Sequence, residues 1–540
     1  MEKANFNKLR THLENFNNCL KIPSVVIFLF LVTVVLLILQ LLCPVPAFSE
    51  TNEEVIKIGK WKRFEVSYTN PSFKGNPFDV EFYGSFTHKS SGKILKQPGF
   101  YAGRNHWKIY FMPDNLGEWT FHTSSPDPDL NEKTGSFICI PSDLPGRLLP
   151  DGKRWKLEDG KYDFPIMIPT RQWFKSTKTD DGIGDFISWA ANTVGARIIG
   201  TTLVYFSHAK DEIPYIKGKE GVEFNIPMWD RLNSHFDRMR DTGLGHYIMF
   251  YSDEDESPNT KGILKKSEEE LRLFRYTIAR FAPYPIVMWD TGIDIGETRP
   301  CSWIDWFADW FNRNDPWQHP VGSRTGGGSG GKHPINGTYY SDGTPELPDH
   351  TSFVNTWKKR SIPTAFTDRW REGYMRGDFD QNKIRQATWE MGLTGGTAIY
   401  VSGNENGGYL TDNYARDFKA ASECGYATRF FREHLSDFGK LYPHNELLIS
   451  SKKAILSANI GVEYVAYLLP FCGPIRINLS EASDTLKYQW YNPRRGNYHG
   501  DGSIAQNSIQ TFNPPDSNDW VLHIVKQEKR LGSMITDDTT

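Results

Sequence analysis

Residues 285–297 read PIVMWDTGIDIGE. The stretch opens as a continuous apolar run, Ile286-Val287-Met288-Trp289, and then turns acidic, with Asp290, Asp294 and Glu297 within eight residues. An apolar run this short, bounded by Pro285 and Gly292, reads as a fully buried strand and not as a helix. A second segment has the same shape: Ile362-Pro363-Thr364-Ala365-Phe366-Thr367-Asp368-Arg369-Trp370. It too ends on a carboxylate, here followed by an aromatic. Carboxylates at the C-terminal ends of buried parallel strands stand where barrel enzymes keep their chemistry.

The surrounding rhythm fits such a barrel. Strands are predicted at 163–169, 196–206, 246–251, 286–289, 320–324, 336–342, 362–368 and 397–401. Helical spacing falls between most of them, at 180–193, 228–242, 267–281, 303–313, 347–359 and 382–393, with a last long helix at 416–434. The third helix carries a cap residue and three Glu in its first turn, with basic residues later. Strands alternating with helices over about 290 residues predict an α/β fold with a (β/α)8 TIM barrel at 150–445. The glycine tract 326–331 lacks the strand–glycine–helix setting and the Lys-Ser/Thr of a phosphate loop.

The flanks differ. Residues 59–142 read as an Ig-like β-sandwich: 64–68, 78–82 and 107–111 alternate, 116–121 and 135–138 close the set, and turn residues separate them. Residues 141–150 read as a Pro/Gly-rich joint. From 447 to 528 the pattern returns to strands (454–456, 463–468, 475–479, 485–491 and 520–525), a second, small β-sandwich. At the other end, residues 1–21 are polar and carry Lys3, Lys8, Arg10 and Lys21, and 22–43 are nearly all apolar. That run is long enough to span a bilayer, and the positive residues before it send the rest outward. Two outcomes fit: an uncleaved signal anchor, which the length favours, or a signal peptide cut after Val45-Pro46-Ala47. Leu42 before Cys43 argues against a lipoprotein box. The working part is expected outside the cytoplasmic membrane in either case.

Composition narrows the partners. Net charge over 540 residues is -3, so no nucleic-acid footprint shows. Aromatics reach 14%, which suits β-rich cores and also sugar stacking. The six cysteines form no CxxC pair and no histidines cluster near them, so neither a structural zinc site nor another metal or cofactor is expected.

The order of parts resembles a known arrangement. NPFDVEFYGSFT, PGFY and FMPDNLGEWTF resemble the DUF5060-type domain of unknown function found ahead of glycoside hydrolases. The barrel resembles the apiosidase-like (DUF4038-like) branch of the large (β/α)8 glycosidase clan. YVAYLLP, INLS and WYNPRRG resemble the small C-terminal sandwich of collagen-binding type. The resemblance covers most of 59–525 and implies cleavage of O-glycosidic bonds in a carbohydrate. It also implies an acid/base at the end of strand four and a nucleophile at the end of strand seven.

Counting strands places Asp294 and Asp368 there, 368 − 294 = 74 residues apart. A retaining pair stands about 5–5.5 Å apart. The clan usually has Glu at both positions and Asn before the acid/base, whereas here both are Asp and Ile293 precedes the first. The shorter side chains widen the gap towards the roughly 6.5–9.5 Å of an inverting pair, leave Glu297 as an alternative acid, or mark lost activity. Glu372 is the reserve for the nucleophile. Asp294 also fits a loop cap, Asp368 a partner for Arg369 or Arg371, and Glu297 a partner for Arg299. Asp290 reads as held inside the barrel by hydrogen bonds. Trp173, His208, Tyr251, Trp289 and Trp370 are candidate sugar contacts. Arg171 and Arg324 suit either an acidic sugar or the ionised carboxylates. Two other classes stay open: a surface carbohydrate-binding protein on an inactive barrel, and an adhesion protein working through its sandwiches.

Overall fold

The structure, a computed structural model, describes residues 55–170, 180–203, 215–218, 221–251, 264–292, 295–324, 332–343, 350–368, 371–372, 380–399, 401–402, 419–450, 452–504 and 508–526, for some of them, Asp368 included, the backbone alone. The predicted membrane segment 22–43 lies outside these residues. Among the described residues no helix is long and apolar enough to cross a membrane.

Eight parallel strands organise the middle of the chain. They are β1 (Ile166–Thr170), β2 (Ile198–Thr202), β3 (Gly245–Tyr251), β4 (Val287–Gly292), β5 (Val321–Gly322), β6 (Tyr340–Gly343), β7 (Thr364–Asp368) and β8 (Ala398–Ile399). Helices α1 (Asp180–Asn192), α2 (Ile226–Asp241), α3 (Glu268–Phe281) and α4 (Cys301–Asn314) follow β1 to β4 in turn. Between β5 and β6 no helix is seen among the described residues. Helices α5 (His350–Lys359), α6 (Gln381–Leu393) and α7 (Lys419–Arg429) follow β6, β7 and β8.

Six of the strands form one sheet in the order β5-β4-β3-β2-β1-β8, and β6 pairs in parallel with β7. Single parallel bridges, Arg324↔Ser341 and Ala365↔Thr397, join the two sheets. Followed in order, the pairings run from β1 to β8 and return to β1 at Met167↔Ile399.

Every residue of β3 and β4 is buried. Alternation then sorts their side chains into two sets. Ile248, Phe250, Val287 and Trp289 join the core that contains the helix residues Phe236, Phe274, Phe307 and Phe311. Met167, Ile198, Tyr247, Met249, Met288, Tyr339 and Ala365 form a separate cluster without a single helical residue. The second set fills the inside of the ring. Trp155, from the segment before β1, packs into the same cluster.

That segment departs from expectation. In place of a joint, residues Leu148–Asp151, Arg154–Leu157 and Tyr162–Asp163 form a three-stranded antiparallel sheet. Asp163 belongs to it and not to β1. Its Oδ2 accepts from Arg197 Nε at 2.6 Å, and its Oδ1 accepts from Arg432. Burial alone would push this carboxyl up, but the two guanidiniums outweigh it and hold it below the ordinary carboxylate value. A depressed folded value means stability that is present above the ordinary value near pH 4 and is lost as pH falls below it. Asp163→Asn is therefore expected to cost about 2 kcal/mol at pH 7, since it leaves two half-buried guanidiniums with no carboxylate there. The cost should shrink between pH 4 and pH 2, read from urea unfolding at each pH.

The N-terminal flank is two packed sheets. One has five strands, Lys57–Gly59, Thr134–Ile140, Gly117–Ser124, Tyr83–His88 and Ile94–Pro98, and the other three, Phe64–Thr69, His106–Phe111 and Phe100–Gly103. Aromatic rings fill the space between them: Phe86 stacks on Phe111 at 3.8 Å and Phe64 on Phe137 at 4.2 Å. The strand expected at 78–82 is instead a 3-10 turn, Pro77–Asp79, with the next strand beginning at Tyr83. Asn76 caps the turn by accepting from Phe78 N at 3.1 Å, and Pro77 supplies a helical φ at its start.

The C-terminal flank is a six-stranded sheet facing the pair Ile475–Asn478 and Ile509–Phe512. Its strands Asn497–Ile504 and Ile509–Phe512 were not foreseen, because NYHGDGSI has no apolar alternation. Both flanks are bonded to the ring's helices. Arg63 pairs with Asp237 at 2.8 Å, and Gln97 Nε2 donates to Ala279 O at 3.2 Å. On the other side, Ser457 Oγ donates to Leu393 O at 2.8 Å.

Candidate functional site

Strand β4 runs to Gly292, three residues further than the apolar run 286–289. Asp290 therefore lies within β4, two positions after the inward Met288. It is fully buried. Its Oδ1 accepts from Gly292 N at 2.8 Å, and its Oδ2 stands 3.3 Å from the Tyr339 hydroxyl, which also donates to Trp289 O at 2.9 Å. Tyr247 Oη meets Ser341 Oγ at 3.0 Å beside them. Burial pushes the Asp290 carboxyl up. Hydrogen bonds from Tyr247, Gly292 and Ser341 and the charge of Arg324 oppose that without reversing it. A polar layer thus sits inside the ring, above the apolar one, near the C-terminal ends of β3 to β6.

Gly292 ends β4 in the left-handed half of backbone space, at φ +131°, and a Cβ there would lie 1.9 Å from Tyr251 O. The close approach follows from the parallel register Tyr251↔Gly292. Gly292→Ala is expected to destabilise the chain by about 3 kcal/mol or more, from backbone strain and a collision with neighbouring main chain. Gly152→Ala is the control: its φ is also positive, at +59°, but nothing lies within 4 Å of its Cβ position. Chemical unfolding of the two variants should differ by most of that amount.

The sequence-predicted site residues divide into three groups. Asp294, Arg171, Trp173, His208 and Trp370 lie outside the described residues. Three are described by backbone alone. Asp368 is the last residue of β7, opposite Gly343 of β6. Glu297 ends a 3-10 turn, Ile295–Glu297, just after β4. Glu372 pairs in parallel with Ser402.

The third group is described in full. Arg324 bridges to Ser341 and is 8% exposed, close enough to Asp290 for its charge to act there. Trp289 and Tyr251 are corrections, since neither is a sugar platform. Trp289 belongs to the outward set, is fully buried, and donates from Nε1 to Asp315 Oδ2 at 2.8 Å. Tyr251 is fully buried too, and its hydroxyl donates to Glu270 Oε1 at 3.1 Å. Glu270 also takes Trp303 Nε1 at 3.0 Å and Arg299 at 3.3 Å. Arg299 is thereby bound to a helix residue that sequence reasoning had not considered.

Sequence reasoning also missed Tyr247, Tyr339 and Ser341, which surround Asp290. Their signal was present but weak: each is a polar or amphipathic residue in a predicted inward strand. Of the described cysteines, Cys139 is a buried free thiol and Cys301 an exposed one. No group of three metal-ligating side chains occurs among the described residues.

Comparison with known proteins places these observations. Residues 57–126 match the family "Domain of unknown function (DUF5060)", and residues 443–525 match the "Putative collagen-binding domain of a collagenase". No curated protein matches the chain. Among solved structures, one described as "a putative glycoside hydrolase from Bacteroides vulgatus" aligns with a TM-score of 0.71 and 19% identity, over 87% of this chain and 99% of that one. A family 5 glycoside hydrolase from the same species aligns with a TM-score of 0.56 and 14% identity, over 73% and 96% of the two chains. A third glycoside hydrolase aligns with a TM-score of 0.55 and 15% identity, over 72% of this chain and 100% of that one. At these identities the likeness is one of fold. The chain has a glycoside-hydrolase-like fold of mixed α and β structure, between a DUF5060 domain and a domain of the collagen-binding type.

Proposed function

We propose that the ring is the (β/α)8 barrel of an exported or membrane-anchored glycoside hydrolase. Asp294 serves as acid/base and Asp368 as nucleophile of a retaining reaction, with Glu297 and Glu372 as their reserves. The observation that carries this reading is the circuit of eight parallel strands with Asp368 at the end of the seventh. Its counterpart is the end of the fourth at Gly292, two residues before Asp294. The polar layer around Asp290 and Arg324 supports it from below. Asp290 is too deeply buried to touch a sugar, and acts as part of the floor.

In the proposed reaction Asp294 gives its proton to the leaving glycosidic oxygen while Asp368 bonds to the anomeric carbon. Water, deprotonated by Asp294, then releases the sugar and frees Asp368. Export rests on the apolar run at 22–43 and the basic residues before it.

The test is a screen of the purified chain on plant and algal polysaccharides beside Asp294→Asn and Asp368→Asn. Hydrolysis lost in the variants upholds the assignment, and undiminished hydrolysis by both rejects it. N-terminal sequencing of membrane and soluble fractions decides between an anchor and cleavage after Ala47.

A further inference from the structure

A cleft of about 330 Å³ separates the N-terminal sandwich from helix α3. Its height on the ring is set by α3. Glu270, in the first turn of α3, accepts from Tyr251 at the C-terminal end of β3. The first turn of α3 therefore stands level with the ends of the parallel strands, where the proposed reaction sits, and the second turn lies one helical pitch of about 5.4 Å further down. Glu268, Arg272 and Arg275 follow the i, i+4, i+7 spacing of one helix face, and that face lines the cleft.

The sandwich supplies the opposite wall through Phe78, Asp79 and Tyr83. Phe78 is wedged edge-on against Tyr101 at 5.3 Å and Phe224 at 5.1 Å. Asp79 accepts from Arg272 Nε at 2.6 Å, which puts an acceptor and several donors side by side. Arg275 lies 3.7 Å from Glu268 in a second such pair.

Paired donors and acceptors beside aromatic rings suit a neutral polyol. Hydroxyls both give and take hydrogen bonds, and the C–H faces of a sugar lie on rings. Three carboxylates, Asp79, Glu81 and Glu268, against two guanidiniums give an anionic ligand no net attraction. The volume is at the lower end of the roughly 300–1,000 Å³ range of small-molecule sites.

We propose that this cleft is an outlying subsite for a neutral saccharide chain whose other end reaches the mouth of the ring. Its continuity with that mouth rests on the hydrolase reading, but binding in the cleft does not. The subsite implies a polymeric substrate.

The experiment uses the full chain with Tyr83→Ala and Arg275→Glu, each checked for an unchanged melting temperature. Depletion assays on insoluble cellulose, xylan, mannan and arabinan read the affinity. Kinetics on aryl glycosides and on a soluble polymer read the reaction. At least one polymer should bind, with affinity falling about ten-fold in each variant. KM on the polymer should rise while turnover of the aryl glycoside stays unchanged. Wild-type chain that binds none of the four, or variants that bind as wild type does, would overturn the subsite. Variant-sensitive binding by a chain without hydrolysis would uphold the subsite and overturn the hydrolase reading, and hydrolysis with variant-insensitive binding would do the reverse.

Discussion

Asp368→Asn is expected to lower kcat on a hydrolysed glycoside by about three orders of magnitude or more. On the proposed assignment the Asp368 carboxylate forms the bond to the anomeric carbon, and an amide is no nucleophile for that step. Added azide should restore turnover by attacking from the vacated face, and the product should be the glycosyl azide of inverted configuration. Asp294→Asn should behave differently. Its loss of kcat/KM should be large where the leaving group is a sugar, which needs a proton, and small where it is an acidic phenol, which does not, while kcat falls on both because the second step loses its base. A variant that had merely lost its fold would show neither azide rescue nor a dependence on leaving group. Equal losses on both substrate types with Asp294→Asn would move the acid role to Glu297.

Asp519→Ala is expected to lower the unfolding free energy by about 3–5 kcal/mol. Asp519 is buried just before the last strand, Trp520–Lys526, and it accepts from Arg385 Nε at 2.6 Å, Arg494 Nη1 at 3.0 Å and the Tyr467 hydroxyl at 2.8 Å. Arg385 comes from α6, and its Nη1 donates to Glu423 of α7 at 2.8 Å. The cluster therefore ties two helices of the ring to the C-terminal sandwich. Removing the carboxylate leaves the Arg385 guanidinium buried with one anionic partner in place of two. Asp519→Asn keeps an acceptor for Tyr467 and should cost less. Urea unfolding followed by tryptophan fluorescence measures both. A loss under 1 kcal/mol in Asp519→Ala would mean that solvent reaches this joint.

The parts of the fold legible in the sequence are those set by local physics. Buried parallel strands need short apolar runs, and GHYIMFY and the run before Asp290 could be little else. Helix α3 announced itself by Ser267 and three following Glu, and Ser267 does accept from Glu270 N at 3.2 Å. The Asn76-Pro77 turn is set just as locally: the cap and the fixed φ of proline outweigh the alternation of the residues that follow. The site was harder. In a strand buried on both faces, apolar character does not say which residues point inward. Trp289 and Tyr251 therefore passed for sugar contacts, when one packs outward and the other serves Glu270.

The alternation of strand and helix, the two β-rich flanks and the acidic strand ends are written into the order of residues, because each depends on neighbours a few positions away. Which side chains meet is settled by the folded chain alone. Arg385 and Asp519 are 134 residues apart, and Tyr339 and Asp290 are 49. Their pairing follows from the register of strands and the seating of helices, which a local pattern of residues does not carry.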